Sequence, residues 1–184
     1  MKTLIIYKSI TGFTKEYVDL IKRRIVDAQV VELKKLKKKM IKESDVIFFG
    51  APLRNNKIVG LNKFLKYNNL FDDKEIFIFA TGISPIDPDK KQNVIDMNGL
   101  EFYHVRLYLL PGGFDMKRMS KFKQKIFTFA LNSVAKSKKA PAGMTPETAK
   151  LILERQLDMV SADNIERMME VYYLISMKRR SQQN

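Results

Sequence analysis

The sequence predicts an α/β fold in which a doubly wound parallel sheet of five strands is covered by helices on both faces. Short apolar runs rich in β-branched and aromatic residues recur along the chain, and segments with the apolar spacing of helices separate them. Strands that alternate with helices need crossover connections, which favour a parallel sheet. The predicted strands are "TLIIY" (3–7), "QVVEL" (29–33), "DVIFFG" (45–50), "EIFIFAT" (75–81) and "FYHVRLYLL" (102–110).

The helices between these strands follow from the spacing of apolar residues. The first helix is expected to begin near Thr14, because Tyr17, Ile21 and Ile25 then share one face. A shorter helix is expected around residues 61–65, after the third strand. The third and fourth strands are apolar on both faces, which is typical of strands that are covered on both sides.

Two helices are predicted near the end of the chain, within residues 144–180. The first would cover residues 144–160, with Thr145 as its N-cap and a proline at its first position. The second follows Asp163, which has the spacing of a capping box with Glu166. The fold is therefore expected to carry an extra helix at its C-terminal end.

The composition restricts the chemistry that the chain can perform. It contains no Cys and a single His, His104, so thiolate metal sites, cysteine nucleophiles and disulfides are excluded. His104 lies inside a predicted strand, where a structural histidine is expected more than a catalytic one. We therefore predict no metal site. The chain has 184 residues, 45% of them hydrophobic, and we expect one domain spanning 1–184, with an exposed loop at 136–146.

The net charge of +14 favours anionic partners such as nucleic acid, an acidic protein or a lipid surface. The charge lies in blocks: residues 34–42 contain six lysines and no acid, and residues 116–146 contain eight basic residues and no acid. Within the second block, residues 116–135 carry an apolar stripe at helical spacing. The stripe is compatible with packing on the sheet and with contact to an anionic membrane surface.

The apolar run at the start of the chain, residues 3–7, is too short for a signal peptide, and no uninterrupted apolar stretch approaches a membrane span. We therefore expect a cytoplasmic protein, with peripheral contact at the inner face of the membrane as a further possibility. The sequence does not indicate an oligomeric state.

The stretch "YKSITGFTKEY", residues 7–17, lies where the first strand ends and the first helix begins. Both the carboxyl end of a strand and the amino end of a helix favour a phosphate group. Gly12 lets the backbone approach closely, and Ser9, Thr11 and Thr14 add hydroxyl donors. Neither G-x-x-x-x-G-K-S/T nor a G-x-G-x-x-G after a strand occurs. The stretch therefore predicts a phosphate site, and a capped turn without a ligand is the alternative.

"SITGFT" resembles the S/T-x-T-G-x-T phosphate loop of flavodoxins, in the same position after the first strand. The resemblance implies a flavodoxin-like sheet of order 2-1-3-4-5 with FMN as cofactor. In that family the loop binds the phosphate, and the loops after the third and fourth strands flank the flavin ring. The residues that the resemblance implies for FMN binding are Ser9, Ile10, Thr11, Gly12, Phe13, Thr14, Pro52, Leu53, Arg54, Asn55, Asn56, Thr81, Gly82, Ile83, Ser84 and Gly113.

The two segments expected to flank the ring contain no aromatic residue, whereas flavodoxins usually stack Trp or Tyr on the flavin. These segments are "PLRNNKI" (52–58) and "TGISPID" (81–87). Leu53, Ile58 and Ile83 could supply apolar contacts instead, with Phe114 of the next loop as a further candidate. Arg54 and Lys57 are candidates to stabilise the reduced flavin by their charge, and ordinary solvated loop residues are the alternative.

Two further segments resemble the flavodoxin-like protoporphyrinogen dehydrogenases, which use a quinone. They are "GAPLR" (50–54) and the basic, aromatic-rich "PGGFDMKRMSKFKQKIFTFAL" (111–131). That resemblance implies an FMN-dependent oxidoreductase with protoporphyrinogen as substrate. It covers the chain to about residue 140, and the final segment is longer than that family needs.

Three functions remain open from the sequence. The leading one is an FMN-binding redox protein, which either transfers electrons between partners or oxidises a small substrate. The second is a nucleic-acid-binding module, favoured by the charge and by "KFKQKIFTF" (121–129), although no known nucleic-acid-binding signature accompanies it. The third is a flavodoxin fold without cofactor that binds a partner protein.

Overall fold

The structure is a computed structural model that describes residues 1–83, 86–115, 117, 124–125, 128–129, 132 and 157–181. The described strands are β1 (Thr3–Tyr7), β2 (Gln29–Glu32), β3 (Val46–Arg54), β4 (Lys57–Ile58), β5 (Glu75–Gly82), β6 (Val105–Pro111), β7 (Gly113–Phe114) and β8 (Leu157–Asp158). The described α-helices are α1 (Phe13–Arg24), α2 (Lys38–Lys42), α3 (Leu61–Phe64), α4 (Pro88–Asn98) and α5 (Glu166–Ser181). Short 3-10 turns lie at Leu33–Lys35, Leu65–Leu70, Leu100–Phe102 and Asp163–Ile165.

The long strands form one sheet in the order β2-β1-β3-β5-β6. Each neighbouring pair along this path is parallel, while β4 pairs with β3 in the antiparallel direction. Counted by the long strands alone, this is the predicted order 2-1-3-4-5, so the flavodoxin-like fold is confirmed. The order reverses at β1 and β3, and crevices at such reversals are where open α/β sheets bind ligands.

The central strands are buried on both faces because helices cover both. One apolar cluster joins the sheet to α2, α3 and α4, and a second joins it to α1 and α5. In the second cluster Phe48 of β3 stacks on Phe77 of β5, with ring centroids 4.7 Å apart. Continuous apolar runs in these strands, rather than alternating ones, follow from this double cover.

Gly50 in β3 makes room for a ring of the neighbouring strand. It lies opposite Phe79 in the β3–β5 ladder, and a Cβ atom on Gly50 would overlap the Phe79 ring. Phe79 is fully buried, so the ring cannot move aside without disturbing the core. The glycine of "FFGAP" is therefore a packing requirement of the sheet.

Helix α1 begins one residue before the predicted start and buries the predicted face. Tyr17, Val18 and Ile21 are fully buried, and its last turn carries Lys22, Arg23 and Arg24. Cations at this end of a helix interact favourably with the helix dipole. The prediction for this element is confirmed.

Two predictions near the C-terminus are wrong in part. Residues 157–158 form a strand that pairs with β7, so a helix does not continue to residue 160; most of the predicted helix at 144–160 lies outside the described residues. Asp163 is the first residue of a 3-10 turn whose N-cap is Ala162, so it does not take the N-cap position that the capping box requires. The helix that follows, α5, buries Met168, Met169 and Tyr172 on the sheet. The segment 116–135, except for a few isolated residues, and all of 136–146 also lie outside the described residues.

His104 does not lie inside a strand, because β6 begins at the following residue. Its side chain is exposed at the amino ends of the strands, beside a pocket of about 790 Å³ that Asp72, Phe102 and Arg106 also line. A second pocket, of about 490 Å³, opens at the same edge.

In the part of the chain that is described, no helix has the length and apolar character needed to cross a membrane.

Candidate cofactor-binding site

The carboxyl ends of β1, β3, β5 and β6 meet at one edge of the sheet. Tyr7 at the end of β1 lies opposite Gly50, Pro52 lies opposite Thr81, and Gly82 lies opposite Pro111. The segments after these strands are therefore neighbours, although they are far apart in the sequence. This edge brings together the described residues that were predicted to bind a cofactor.

The loop between β1 and α1 is closed by a hydrogen bond from its own glycine. The Gly12 N–H donates to Ser9 Oγ over 3.2 Å, and Gly12 has a φ of 99°, in the region that favours glycine. Its carbonyl accepts the first helical bond, from the Glu16 N–H at 3.0 Å. Because the Ser9 hydroxyl accepts here, its own proton remains able to donate to an anion. Thr11 is half-buried and Ile10 is exposed beside it.

Thr14 does not face solvent. Its side chain is 2% exposed, and its hydroxyl lies 2.8 Å from that of Thr81 at the end of β5. Two hydroxyls that share one hydrogen bond leave one proton unused, and that proton can donate to a ligand. Thr81, whose segment was predicted to flank the ring, thus contacts the first helix next to the loop that was predicted to bind the phosphate.

The segment after β3 is a hairpin and not an open loop. Strand β3 continues to Arg54, the chain turns through Asn55 and Asn56, and β4 pairs back along β3. Both asparagines have positive φ, 49° and 61°, which is the backbone of the type I′ turn that suits two-residue hairpins. The prediction of this segment as a loop is wrong. The spacing of the two asparagines between β-forming residues is the signal that identifies it.

Leu53 follows the last residue pair of the β3–β5 ladder and lies beside the neighbouring strand. A Cβ atom on Gly82 would lie 3.7 Å from both Leu53 Cβ and Leu53 Cδ1, so the leucine packs directly over the glycine. Leu53, Pro52 and Ile83 are half-buried, which leaves part of their apolar surface accessible. This is the only apolar surface among the described residues predicted to flank a ring, apart from Phe13.

Phe13 and Gly113 pack against each other at the end of β6. Phe13 is 3% exposed, and a Cβ atom on Gly113 would overlap both the Phe13 ring and the Leu157 carbonyl. The Gly112 N–H donates to the Gly82 carbonyl at 2.7 Å. Both predicted residues therefore serve the packing of this edge. Gly113 has no side chain, and the side chain of Phe13 has no polar group for a ligand.

A tyrosine fixes the C-terminal segment to the same edge. The Tyr17 hydroxyl donates to the Pro111 carbonyl at 2.5 Å and accepts from Asn164 Nδ2 at 2.7 Å. Asn164 also donates to the Met159 carbonyl at 2.8 Å. Burial raises the pKa of Tyr17 above its ordinary value, so the hydroxyl stays protonated and keeps donating. Sequence patterns gave no sign of Asn164, since its partner is distant along the chain.

Two cations at this edge come from the hairpin. Arg54 and Lys57 are opposite residues of the β3–β4 ladder, and both are exposed. Residues directly opposite project from the same face of a ladder, so the two cations lie side by side. Ser84 lies outside the described residues. Among the described residues no cluster of acids and His could hold a metal ion.

Comparison with known proteins gives one family. The flavodoxin domain family matches residues 4–141. A search of curated proteins found no match.

Several solved structures are similar to this chain. One is a flavodoxin from the domain Archaea, at 20% identity over 68% of this chain and 90% of that chain, with a TM-score of 0.45. Another is the two-electron reduced flavodoxin of Megasphaera elsdenii, at 18% identity over 58% and 84%, with a TM-score of 0.47. A third is the FMN-dependent NADH-azoreductase of Bacillus anthracis in complex with FMN, at 11% identity over 60% and 87%, with a TM-score of 0.43.

The family match extends over residues 4–141, which is well over half of the 184-residue chain. It includes β1, the loop at Gly12 and all five long strands of the sheet. The chain therefore belongs to the flavodoxin domain family.

Proposed function

We propose that the chain binds FMN at the carboxyl edge of its sheet and acts as a redox protein. The observation that carries this proposal is the loop of residues 9–14 in a member of the flavodoxin domain family. The loop combines a positive-φ glycine, a serine that retains its donor proton and the start of α1. Bound FMN supplies the electron chemistry, so the protein has to bind, orient and tune it.

The phosphate end of the proposed site fits the group. The first N–H groups of an α-helix have no acceptor within the helix, and the positive end of the helix dipole favours an anion. Gly12 brings the backbone close, and the hydroxyls of Ser9, Thr11 and the Thr14–Thr81 pair can donate. This cradle needs no Arg or Lys.

The ring end fits a planar apolar group less closely. Leu53 and Ile83 offer apolar surface, but the hairpin and the start of the next loop carry no aromatic residue. Aliphatic side chains lack the stacking energy that an aromatic pair contributes in addition to the burial of its surface, which is about 0.5–1.5 kcal/mol for each pair. We therefore expect FMN to bind, with lower affinity than a site that has two aromatic walls.

We also propose a specific substrate, which the cofactor proposal does not require. The resemblance of "GAPLR" (50–54) and of residues 111–131 favours oxidation of protoporphyrinogen with a quinone as acceptor, catalysed by an FMN-dependent oxidoreductase. Electron transfer to a redox partner protein is the alternative. The net charge of +14 favours an anionic substrate or an acidic partner in either case.

Titration of the purified protein with FMN tests the cofactor proposal. Quenching of flavin fluorescence and a shifted visible spectrum are expected on binding. Thr11→Ala and Ser9→Ala should each weaken binding, because each removes a hydroxyl that can donate to the phosphate. Ser181→Ala is the matched control, since it removes an exposed hydroxyl at the end of α5. Urea denaturation of every variant checks the fold.

Three results would contradict the proposal in different ways. No binding at excess FMN would favour the cofactor-free scaffold, and salt-sensitive retention of nucleic acid by a colourless protein would favour the nucleic-acid module. Unchanged affinity in both loop variants would place the phosphate elsewhere. Protoporphyrinogen oxidation by the FMN-loaded protein, with menadione as the quinone probe, tests the substrate separately.

A further inference from the structure

The β3–β4 hairpin carries features that oppose its own formation. Its ladder has two residue pairs, Leu53 with Ile58 and Arg54 with Lys57, and hairpins of this size are marginal by themselves. The second pair places two cations directly opposite each other, which is destabilising in a ladder. The hairpin therefore needs contacts from outside to hold one conformation.

Asn98, the last residue of α4, supplies these contacts with its side-chain amide. Its Oδ1 accepts from the Ile58 N–H at 2.9 Å. Its Nδ2 donates to the Asn56 carbonyl at 2.7 Å and to the Val94 carbonyl at 2.7 Å. One N–H and two carbonyls surround the amide, so only one of its two flip orientations satisfies all three bonds. The hairpin is thus joined to α4 at its turn and at β4.

Helix α4 is itself held at both ends. Asp87 caps its start by accepting from the Lys90 N–H at 2.6 Å, and Gly99 ends it with a φ of 60°. The start of α4 follows the segment after β5, while its end binds the hairpin after β3. The same helix therefore connects the two segments proposed to flank the flavin ring.

The position of the hairpin decides where its two cations lie. Leu53 follows the Pro52–Thr81 pair of the β3–β5 ladder, so that ladder places it beside Gly82 whatever the position of the turn. Arg54 and Lys57 are fixed relative to the sheet by the backbone of the hairpin. A hairpin released from α4 would no longer hold these two exposed cations at a fixed distance from the edge of the sheet, and charge interaction weakens with distance.

We propose that Asn98 is a positioning residue of the flavin site: it fixes the β3–β4 hairpin so that the Arg54–Lys57 pair stabilises the reduced flavin. This inference rests on the proposed function. Asn98 acts through the hairpin and does not touch the cofactor. Its loss should change the properties of bound FMN more than the stability of the fold.

The test compares Asn98→Ala with Asn93→Ala, the same truncation at an exposed position of the same helix. Hydrogen exchange of the Ile58 N–H in the cofactor-free protein reports directly whether Asn98 holds the hairpin. We expect exchange about tenfold faster in Asn98→Ala, which corresponds to the loss of one hydrogen bond. FMN affinity and the two-electron potential of bound FMN are then measured for both. Asn98→Ala should bind FMN about tenfold more weakly and at a more negative potential, with Asn93→Ala unchanged.

A third variant keeps the test decisive if Asn98→Ala does not fold. Asn98→Asp retains an acceptor for the Ile58 N–H and loses the two donated bonds, so it should show the same changes to a smaller extent. An unchanged exchange rate of the Ile58 N–H would show that Asn98 does not hold the hairpin. Faster exchange with the affinity and potential of the control would overturn the positioning role while leaving FMN binding intact. Failure of the unaltered protein to bind FMN would instead overturn the proposed function, and this inference with it.

Discussion

The buried hydroxyl pair of Thr14 and Thr81 should contribute separately to stability and to phosphate binding. The two side chains are 2% and 4% exposed, and their oxygens lie 2.8 Å apart. Thr14→Val keeps the shape of the side chain and removes the hydroxyl, which leaves the Thr81 oxygen buried without its partner. Thr81→Val does the same from the other side.

The expected magnitude follows from the cost of an unpaired buried hydroxyl, about 1–3 kcal/mol. In a protein of this size, a loss of about 2 kcal/mol lowers Tm by about 4–8 °C. Replacing both partners by apolar groups of similar shape is nearly neutral. The double variant should therefore recover most of the stability that either single variant loses, so that the double-mutant cycle gives a coupling energy of about 1 kcal/mol or more.

Binding should not recover in the same way. A hydrogen bond to a charged group contributes about 1.5–3 kcal/mol, so losing the free proton of the pair should weaken FMN binding by about tenfold or more. Thermal and urea denaturation without FMN, followed by FMN titration of the same three variants, measures both quantities. Additive stability losses would show that the hydroxyls do not act as a pair. A double variant with unaltered affinity would show that neither hydroxyl contacts the phosphate.

Three further predictions concern the sheet, the tyrosine and the hairpin. Gly50→Ala should destabilise the protein by about 1–3 kcal/mol in urea denaturation, since the new methyl group overlaps Phe79; unchanged stability would contradict this packing. Burial raises the pKa of Tyr17 in the folded state. At pH values above the unfolded-state pKa of about 10, the folded state therefore binds more protons than the unfolded state, and the free energy of unfolding should fall as pH rises. Tyr17→Phe should make that fall shallower, and equal slopes would refute the assignment. Replacing Arg54 and Lys57 by Gln should make the two-electron potential of bound FMN more negative; an unchanged potential would show that both cations are solvated.

The elements that depend on local sequence were predictable. "VIFFGA" and "IFIFAT" read as buried strands because they are apolar on both faces, and both are. The start of α1 was predictable to within one residue from the spacing of Tyr17 and Ile21. The phosphate-loop pattern was equally local, because its residues are contiguous and lie between two predictable elements.

The C-terminal prediction failed where pairing between distant segments outweighs local preference. Residues 157–158 lie within the predicted helix of residues 144–160, yet they pair with Gly113–Phe114, more than forty positions earlier. The Met159 N–H continues the contact by donating to the Gly112 carbonyl at 3.0 Å. Periodicity within one segment cannot predict such a pairing, because the partner strand supplies half of the hydrogen bonds.

The two ends of the proposed site differ in the same respect. The phosphate end depends mostly on consecutive residues of one loop, so the sequence predicted its form. The ring end depends on Leu53 over Gly82 and on Asn98 holding the hairpin, three residues from different elements. A substitution at this end can move a wall or a charge while the phosphate cradle stays intact. Substitution of Asn98 should therefore change both the affinity for the cofactor and its reduction potential, although Asn98 contacts neither the cofactor nor the phosphate cradle.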